Sequence, residues 1–284
     1  MAKDWLLSFE FFPPKTQPGA EKLARTRETL AQLAPEYFSV TYGAGGSTRD
    51  NTRDIVLETR AAGLDVMPHL SFAAGEDDAD AIKTLLETYR QAGVSRLLAL
   101  RGDLPSDAES THQPIHANEL VAFIREHCGA QFNLQVAAYP EIHPDAKSYK
   151  DDIHWLGEKF KAGADGAITQ YFFNIDAYWY FLDQAAKAGI DKPIVPGIMP
   201  ITNFTSLARF SADCGAEIPR WMAKKLEQYG DDQASILAFG TDVVTQLCER
   251  LLEGGVPGLH FYTMNQAQPS IDILSRLGVN ADLS

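Results

Sequence analysis

A (β/α)8 barrel is the fold this sequence predicts, and three observations predict it. First, a helix-stop signal recurs: Ala62-Gly63-Leu64-Asp65, Ala92-Gly93-Val94-Ser95, Ala162-Gly163-Ala164-Asp165 and Ala188-Gly189-Ile190-Asp191 each end a helical pattern and lead into an apolar run. Glycine just past a helix supplies the left-handed turn that stops it, and the short polar link feeds the next strand. Second, counting outward from these stops gives eight apolar strand candidates with helical patterns between them, which is how a wound α/β fold is written. Third, the competing doubly wound sheet lacks its signature. Gly43-Ala44-Gly45-Gly46 misses the third glycine of GxGxxG, and no Walker A sequence occurs. With no linker, low-complexity stretch or composition break, residues 1–284 read as one α/β barrel domain.

The first strand runs from Leu6 to Phe12. Aromatic side chains suit a pleated surface, and Pro13-Pro14 then forbids further ladder pairing. Alternation puts Phe9 and Phe11 on one face and Ser8, Glu10 and Phe12 on the other. A carboxylate in such apolar company is costly to ionise, so the Glu10 pKa is expected to rise toward what a general acid needs. The plainer alternative is an edge strand with Glu10 in water. Leu23, Leu30 and Leu33 line one face of the first helix. The second strand, Tyr37 to Tyr42, leads to a helix opened by Ser47 and Asp50, which resemble a capping box. Val66 to Ser71 and Arg96 to Leu100 are the third and fourth strands, and Leu120, Phe123 and Ile124 mark the helix after the fourth. Phe132 to Ala138, Gly166 to Phe173 and Ile194 to Met199 follow. The stretch from Thr202 to Glu253 is too long for one helix and divides into two or three. Gly254-Gly255-Val256-Pro257 repeats the stop before the eighth strand, Gly258 to Thr263, and Ile271, Leu274 and Leu277 face the core in the last helix.

Composition excludes several functions. Hydrophobic content of 45% with 22% charged residues is ordinary for a globular core. A formal charge of -13 argues against a nucleic-acid partner, whose affinity comes from clustered Lys and Arg. No apolar run approaches the roughly 18 residues that span a bilayer, and Met1-Ala2-Lys3-Asp4 does not begin a signal peptide, so no membrane partner is expected. Cys128, Cys214 and Cys248 have no CxxC spacing, which gives neither a disulfide framework nor a zinc site. A reduced, cytoplasmic protein without a metal is the expectation.

In such a barrel chemistry collects at the C-terminal ends of the strands. Those ends carry Glu10, Thr41-Tyr42-Gly43-Ala44, Pro68-His69-Leu70, Arg101-Gly102-Asp103, Tyr139 with Glu141 and His143, Gln170, Thr202-Asn203-Phe204 and Tyr262-Thr263-Met264-Asn265. Each also has a plain structural reading. Arg101 and Asp103 suit a rim ion pair, His69 and His143 suit hydrogen-bonded imidazoles not spaced for metal, Gln170 an internally satisfied amide, and Phe204 packing. Packing alone does not demand that they crowd one face.

Six blocks in order along the whole chain are similar to methylenetetrahydrofolate reductases. They are Ser8-Phe9-Glu10-Phe11-Phe12-Pro13-Pro14, Ser39-Val40-Thr41-Tyr42-Gly43-Ala44, Leu98-Ala99-Leu100-Arg101-Gly102-Asp103-Leu104-Pro105, Ala137-Ala138-Tyr139-Pro140-Glu141, Ala167-Ile168-Thr169-Gln170 and His260-Phe261-Tyr262-Thr263. The length resembles the bacterial, single-catalytic-domain form. The resemblance implies an FAD enzyme that takes electrons from NAD(P)H and reduces methylenetetrahydrofolate by ping-pong kinetics, and it implies a homo-oligomer. It also implies that Thr41, His69, Arg101, Gly102, Asp103, Ala117, Ala137, Tyr139, His143, Asp152 and Lys159 hold FAD. Glu10 would be the general acid, Asp103 would lie beside both flavin and pterin, and Gln170, Phe204 and Gln266 would contact substrate.

Four positions depart from the family pattern: His116 where a tyrosine is usual, Trp155 and Glu158 where polar and basic residues are expected, and Gln266 where an arginine normally contacts folate. Two other readings remain open: a different flavin barrel resembling proline dehydrogenase, and a folate-binding or methyl-carrying barrel without redox function.

Overall fold

The computed structural model describes residues 4–42, 49–71, 76–101 and 115–280. Its strands are β1 (Leu6–Phe11), β2 (Tyr37–Val40), β3 (Val66–Leu70), β4 (Arg96–Ala99), β5 (Asn133–Ala138), β6 (Gly166–Thr169), β7 (Ile194–Val195), β8 (Gly197–Ile198) and β9 (Gly258–Tyr262). They pair in parallel in the order β7-β6-β5-β4-β3-β2-β1-β9-β8. The eight-strand expectation holds with one change. Pro196, which has no N–H to give a ladder, splits the seventh strand into β7 and β8. The first half pairs with β6 through Ala167 and Ile194, and the second with β9 through Gly197 and His260. That one broken strand therefore bridges the two ends of the sheet. Gly197 N donates to Thr169 Oγ1 at 3.0 Å, and the Tyr262 hydroxyl donates to the Thr169 carbonyl at 2.7 Å. A Cβ on Gly197 would sit 2.2 Å from that carbonyl, so the close approach requires glycine.

The helices are α1 (Gln17–Ala31), α2 (Arg49–Ala61), α3 (Glu76–Gln91), α4 (Ala117–Cys128), α5 (Tyr149–Lys161), α6 (Ile175–Lys187), α7 (Phe204–Cys214), α8 (Arg220–Tyr229), α9 (Gln233–Glu253) and α10 (Gln268–Arg276). The stretch from 202 to 253 thus holds three helices. The recurring stops work as the sequence implies: Gly63, Gly93 and Gly189 take φ of 79°, 77° and 81°. Ser47, the expected cap of the second helix, lies outside the described residues.

Strand alternation separates two cores. Outward-facing Leu7, Phe9 and Phe11 are buried under the helices, and Phe9 packs its ring 6.1 Å from Phe38 and 5.9 Å from Phe261. Inside the barrel, Tyr37, Met67, Leu98, Ile168 and Val195 form a smaller cluster with Leu6 and Leu100. The inner face of β1 places Ser8 and Glu10 above this plug, toward the strand C-termini. Everything described below stands on that plug.

Candidate active site

Glu10 is the next-to-last residue of β1, in register with Ser39 of β2 and Tyr262 of β9. Its side chain is 15% exposed, and Oε2 lies 3.2 Å from His69 Nε2 and 3.4 Å from His260 Nε2. His69 Nε2 is also 2.6 Å from Ser39 Oγ, and His260 Nδ1 is 2.8 Å from Ser8 Oγ. Both serines and His260 are fully buried. The expected upward move of the Glu10 pKa is therefore corrected. Burial does push the carboxyl up, but the charge of His69 and the hydrogen bonds to His260 and His69 outweigh it and hold the group down to about 2. The sequence argument took the aromatic neighbours as the carboxylate's company. Those neighbours face the helices, whereas Glu10 faces a lumen furnished with imidazoles.

Above Glu10 opens a cavity of about 370 Å³ whose wall includes Thr41, His69, Leu100, Ala137, Tyr139 and Gln170. A second cavity of about 440 Å³ lies between α4 and α5 and shares Leu100, Ala137 and Tyr139 with the first. The two form one bent groove. Its first arm is mainly apolar; its second is lined by Arg101, His116, Ala117, His143, Asp152 and Lys159.

The second arm holds its charges at a cost. Lys159 Nζ donates to the Ala137 carbonyl at 2.9 Å, and burial depresses the amine to about 8 although Asp152 opposes it. Asp152 Oδ2 accepts from His143 N at 2.9 Å and is pushed up by burial. Burial likewise lowers His143, whose Nδ1 accepts from Asp145 N at 3.0 Å. Asp145 in turn pairs with Arg101 at 2.9 Å. A half-buried lysine amine in a groove that joins an apolar chamber suits a ligand with an anionic linker and a flat ring. The residues present fit a group such as FAD: Lys159, Arg101 and His143 would hold a diphosphate, and Ala137 and Tyr139 would border a flat ring.

Not every expected residue joins this groove. Gly102 and Asp103 lie outside the described residues. Gln170 is on the wall, with Oε1 accepting from Tyr171 N at 3.0 Å. Phe204 is half-buried at the start of α7 and packs against the outer core, while Phe210, Asp213 and Cys214 of the same helix line the cavity. Gln266 is exposed beyond β9. Of the departures, His116 and Trp155 stand near-parallel across the second arm with ring centroids 6.2 Å apart, and Glu158 pairs with Lys161. Sequence reasoning passed over Ser8 and His260 as functional residues. Their period-two spacing from Glu10 and Tyr262 was the available signal.

A family model described as methylenetetrahydrofolate reductase matches residues 1–278. The 5,10-methylenetetrahydrofolate reductase of Escherichia coli strain K12 is 38% identical over 98% of this chain and 92% of its own length. An Arabidopsis thaliana relative named methylenetetrahydrofolate reductase (NADH) 1 is 37% identical over 96% of this chain and 48% of its own. Among solved structures, a Clostridium thermocellum protein described as binding two copies of 5-methyl-5,6,7,8-tetrahydrofolic acid superposes with a TM-score of 0.62 at 18% identity, over 97% of this chain and 94% of that one. The last likeness concerns the fold. On the whole-length family match and the bacterial identities, the chain belongs to the methylenetetrahydrofolate reductase family.

Proposed function

We propose that this chain, as a single FAD-binding catalytic barrel, reduces 5,10-methylenetetrahydrofolate to 5-methyltetrahydrofolate with NAD(P)H as electron donor. The observation that carries the reading is Glu10 in the wall of a mainly apolar cavity that joins, through Leu100, Ala137 and Tyr139, an arm lined by half-buried Lys159. FAD, when bound, would supply the hydride chemistry, taking hydride from a nicotinamide and passing it to the folate. The chain's own residues bind, orient and protonate. Lys159, Arg101 and His143 hold the diphosphate arm, with Ala117 and Asp152 beside it. Thr41, His69, Ala137 and Tyr139 frame the ring. By family resemblance, Gly102 and Asp103 complete that frame.

Folate needs a proton as well as hydride. Its bridged ring resists hydride until a bridge nitrogen is protonated and the ring opens, so an acid must face the bound pterin. Glu10 is the group at that position, and Gln170 on the opposite wall offers its amide to the substrate. One open chamber serves both nicotinamide and folate in turn, which gives ping-pong kinetics. The name of the plant relative, a methylenetetrahydrofolate reductase (NADH), supports NADH as the donor. The same reading, carried by the family resemblance, makes the protein a cytoplasmic homo-oligomer. Among the described residues no helix is long and apolar enough to cross a membrane.

The test is an anaerobic absorption spectrum of the purified protein. Flavin absorbance that bleaches with NADH and returns with methylenetetrahydrofolate is the expected result. Bleaching without return would favour a different flavin barrel. Protein that is colourless and takes up no FAD would point to a folate carrier.

A further inference from the structure

The loop after β5 frames the cofactor arm: Tyr139 lies on the wall common to both cavities, and His143 lines the second. Between them in sequence stands Glu141. Its Oε2 accepts from Glu217 N at 2.8 Å, in the segment that follows α7, while its buried Oε1 has no partner among the described residues. α7 is the helix that gives Phe210, Asp213 and Cys214 to the wall of the first cavity. One carboxyl therefore joins the loop of the cofactor arm to the end of the helix that walls the substrate chamber.

The join is close. Ile142 takes φ of 73°, a left-handed conformation that a β-branched residue keeps only where its surroundings impose it. Gly215, which caps α7 at φ 76°, lies so near the loop that a Cβ there would come 3.0 Å from Pro144 Cγ. The seam between loop and helix end leaves only about 10 Å³ of space, room for one water at most. An apolar side chain would fill such a seam without the cost of desolvating a carboxyl. α7 is also tied to the residues after β6, where the Tyr171 hydroxyl lies 3.0 Å from Ser211 Oγ.

We propose that Glu141 is a positioning residue for the reaction, fastening the helix that walls the substrate chamber to the loop that frames the cofactor. The inference rests on the folate-reducing reading for its substrate and on these contacts for its geometry. Ordering of the loop around the cofactor then also sets the wall against which the substrate docks.

The fastening has a pH dependence of defined sign. Burial pushes the Glu141 carboxyl up to about 7 in the docked state, and undocking returns it to its ordinary 4.5. Docking is therefore strongest below about pH 4.5, weakens as pH rises through about 7, and changes no further above that. The titratable groups around the seam are Glu217 of the docking segment, Asp213 and Cys214 of α7, Tyr171 after β6, and Tyr139 and His143 of the loop itself. Tyr171 is held well above its ordinary value by burial, and burial lowers His143 from 6.5. Glu141→Gln separates Glu141 from His143, because it removes one titration and leaves the other.

The test follows amide hydrogen exchange at Glu217, corrected for its intrinsic pH dependence, in the whole chain with and without FAD. Glu141→Ala speeds exchange by about tenfold at pH 7, whereas Glu141→Gln, which keeps an acceptor, exchanges like wild type at pH 5 and about tenfold more slowly at pH 8. FAD slows exchange by about threefold or more in wild type and in Glu141→Gln, and leaves it unchanged in Glu141→Ala. In steady state Glu141→Ala raises KM for methylenetetrahydrofolate by about fivefold to tenfold with kcat within about twofold, and Glu141→Gln restores KM. Exchange at Glu217 that ignores Glu141→Ala, FAD protection that survives it, or an unmoved KM overturns the proposal. If Glu141→Ala does not fold, the comparison of Glu141→Gln with wild type at pH 5 and pH 8 decides, and equal rates at both overturn it. Should FAD protect Glu217 only in chains with an acceptor at position 141, in a protein that reduces no folate, the activity reading falls and the fastening role stands.

Discussion

Replacing Lys159 with methionine should make the empty protein more stable and the FAD complex weaker. Burial lowers this amine from its ordinary 10.5 to about 8, which corresponds to about 3 kcal/mol of unfavourable free energy when the group is charged. The sign follows from linkage. A lysine whose folded pKa is depressed destabilises the fold fully below about pH 8, and the penalty fades as pH rises from there toward 10.5. Methionine fills similar space without charge, so that penalty disappears. It also removes the bond to the Ala137 carbonyl, and a hydrogen bond from a charged donor contributes about 1.5–3 kcal/mol. The balance is a gain of about 1 kcal/mol at pH 7, or about 2 °C in melting temperature for a chain of this size. The gain should shrink above pH 8 and reverse by about pH 10. FAD affinity, measured by quenching of flavin fluorescence, should fall by about tenfold or more with the loss of a charge-assisted contact to the diphosphate. Scanning calorimetry of the flavin-free protein decides the first half. An empty variant less stable than wild type at pH 7, or one that binds FAD as tightly, would refute the reasoning.

Other perturbations read other parts of the structure. Burial pushes Glu141 up to about 7; its Oε2 accepts from Glu217 N at 2.8 Å while its buried Oε1 has no partner among the described residues. Its favourable contribution is present below about pH 4.5 and lost as pH rises through about 7. Glu141→Gln should therefore match wild type in urea denaturation at pH 5 and exceed it by about 2 kcal/mol at pH 8; curves that stay parallel would count against this. Gly197→Ala sets a methyl 2.2 Å from the Thr169 carbonyl and 2.6 Å from the Tyr262 ring, and should cost about 3 kcal/mol in guanidinium unfolding. Phe9→Ala empties a fully buried site between Phe38 and Phe261 and should cost about 3–5 kcal/mol in the same assay.

The fold was legible because its signals are local. A glycine stop, a polar link and an apolar run sit within ten residues of one another, so Gly93 and the strand from Arg96 can be read together. The break at Pro196 was equally local and could have been read from the proline alone. Site placement was legible only to the level of strand ends. Glu10, Thr41, His69, Tyr139 and Gln170 do converge on one cavity. Their electrostatics depended on contacts between residues 59 and 250 positions from Glu10 in sequence, His69 and His260. Which inward-facing side chains meet across a barrel is set by strand stagger, and no short window of sequence carries that. Hence the Glu10 carboxyl was expected to be raised and is lowered. The cost of burying Lys159 likewise arises from β5 and α5 closing on one another, elements that the sequence placed but could not pack.

The account depends most on Glu10 as the source of the substrate's proton, and Glu10→Gln measured in separate half-reactions tests it directly. Under anaerobic stopped flow, flavin reduction by NADH should stay within about twofold of wild type, while reoxidation by methylenetetrahydrofolate should slow by about 100-fold or more, the usual worth of a positioned acid. Reoxidation at the wild-type rate, or equal loss in both half-reactions, would contradict it.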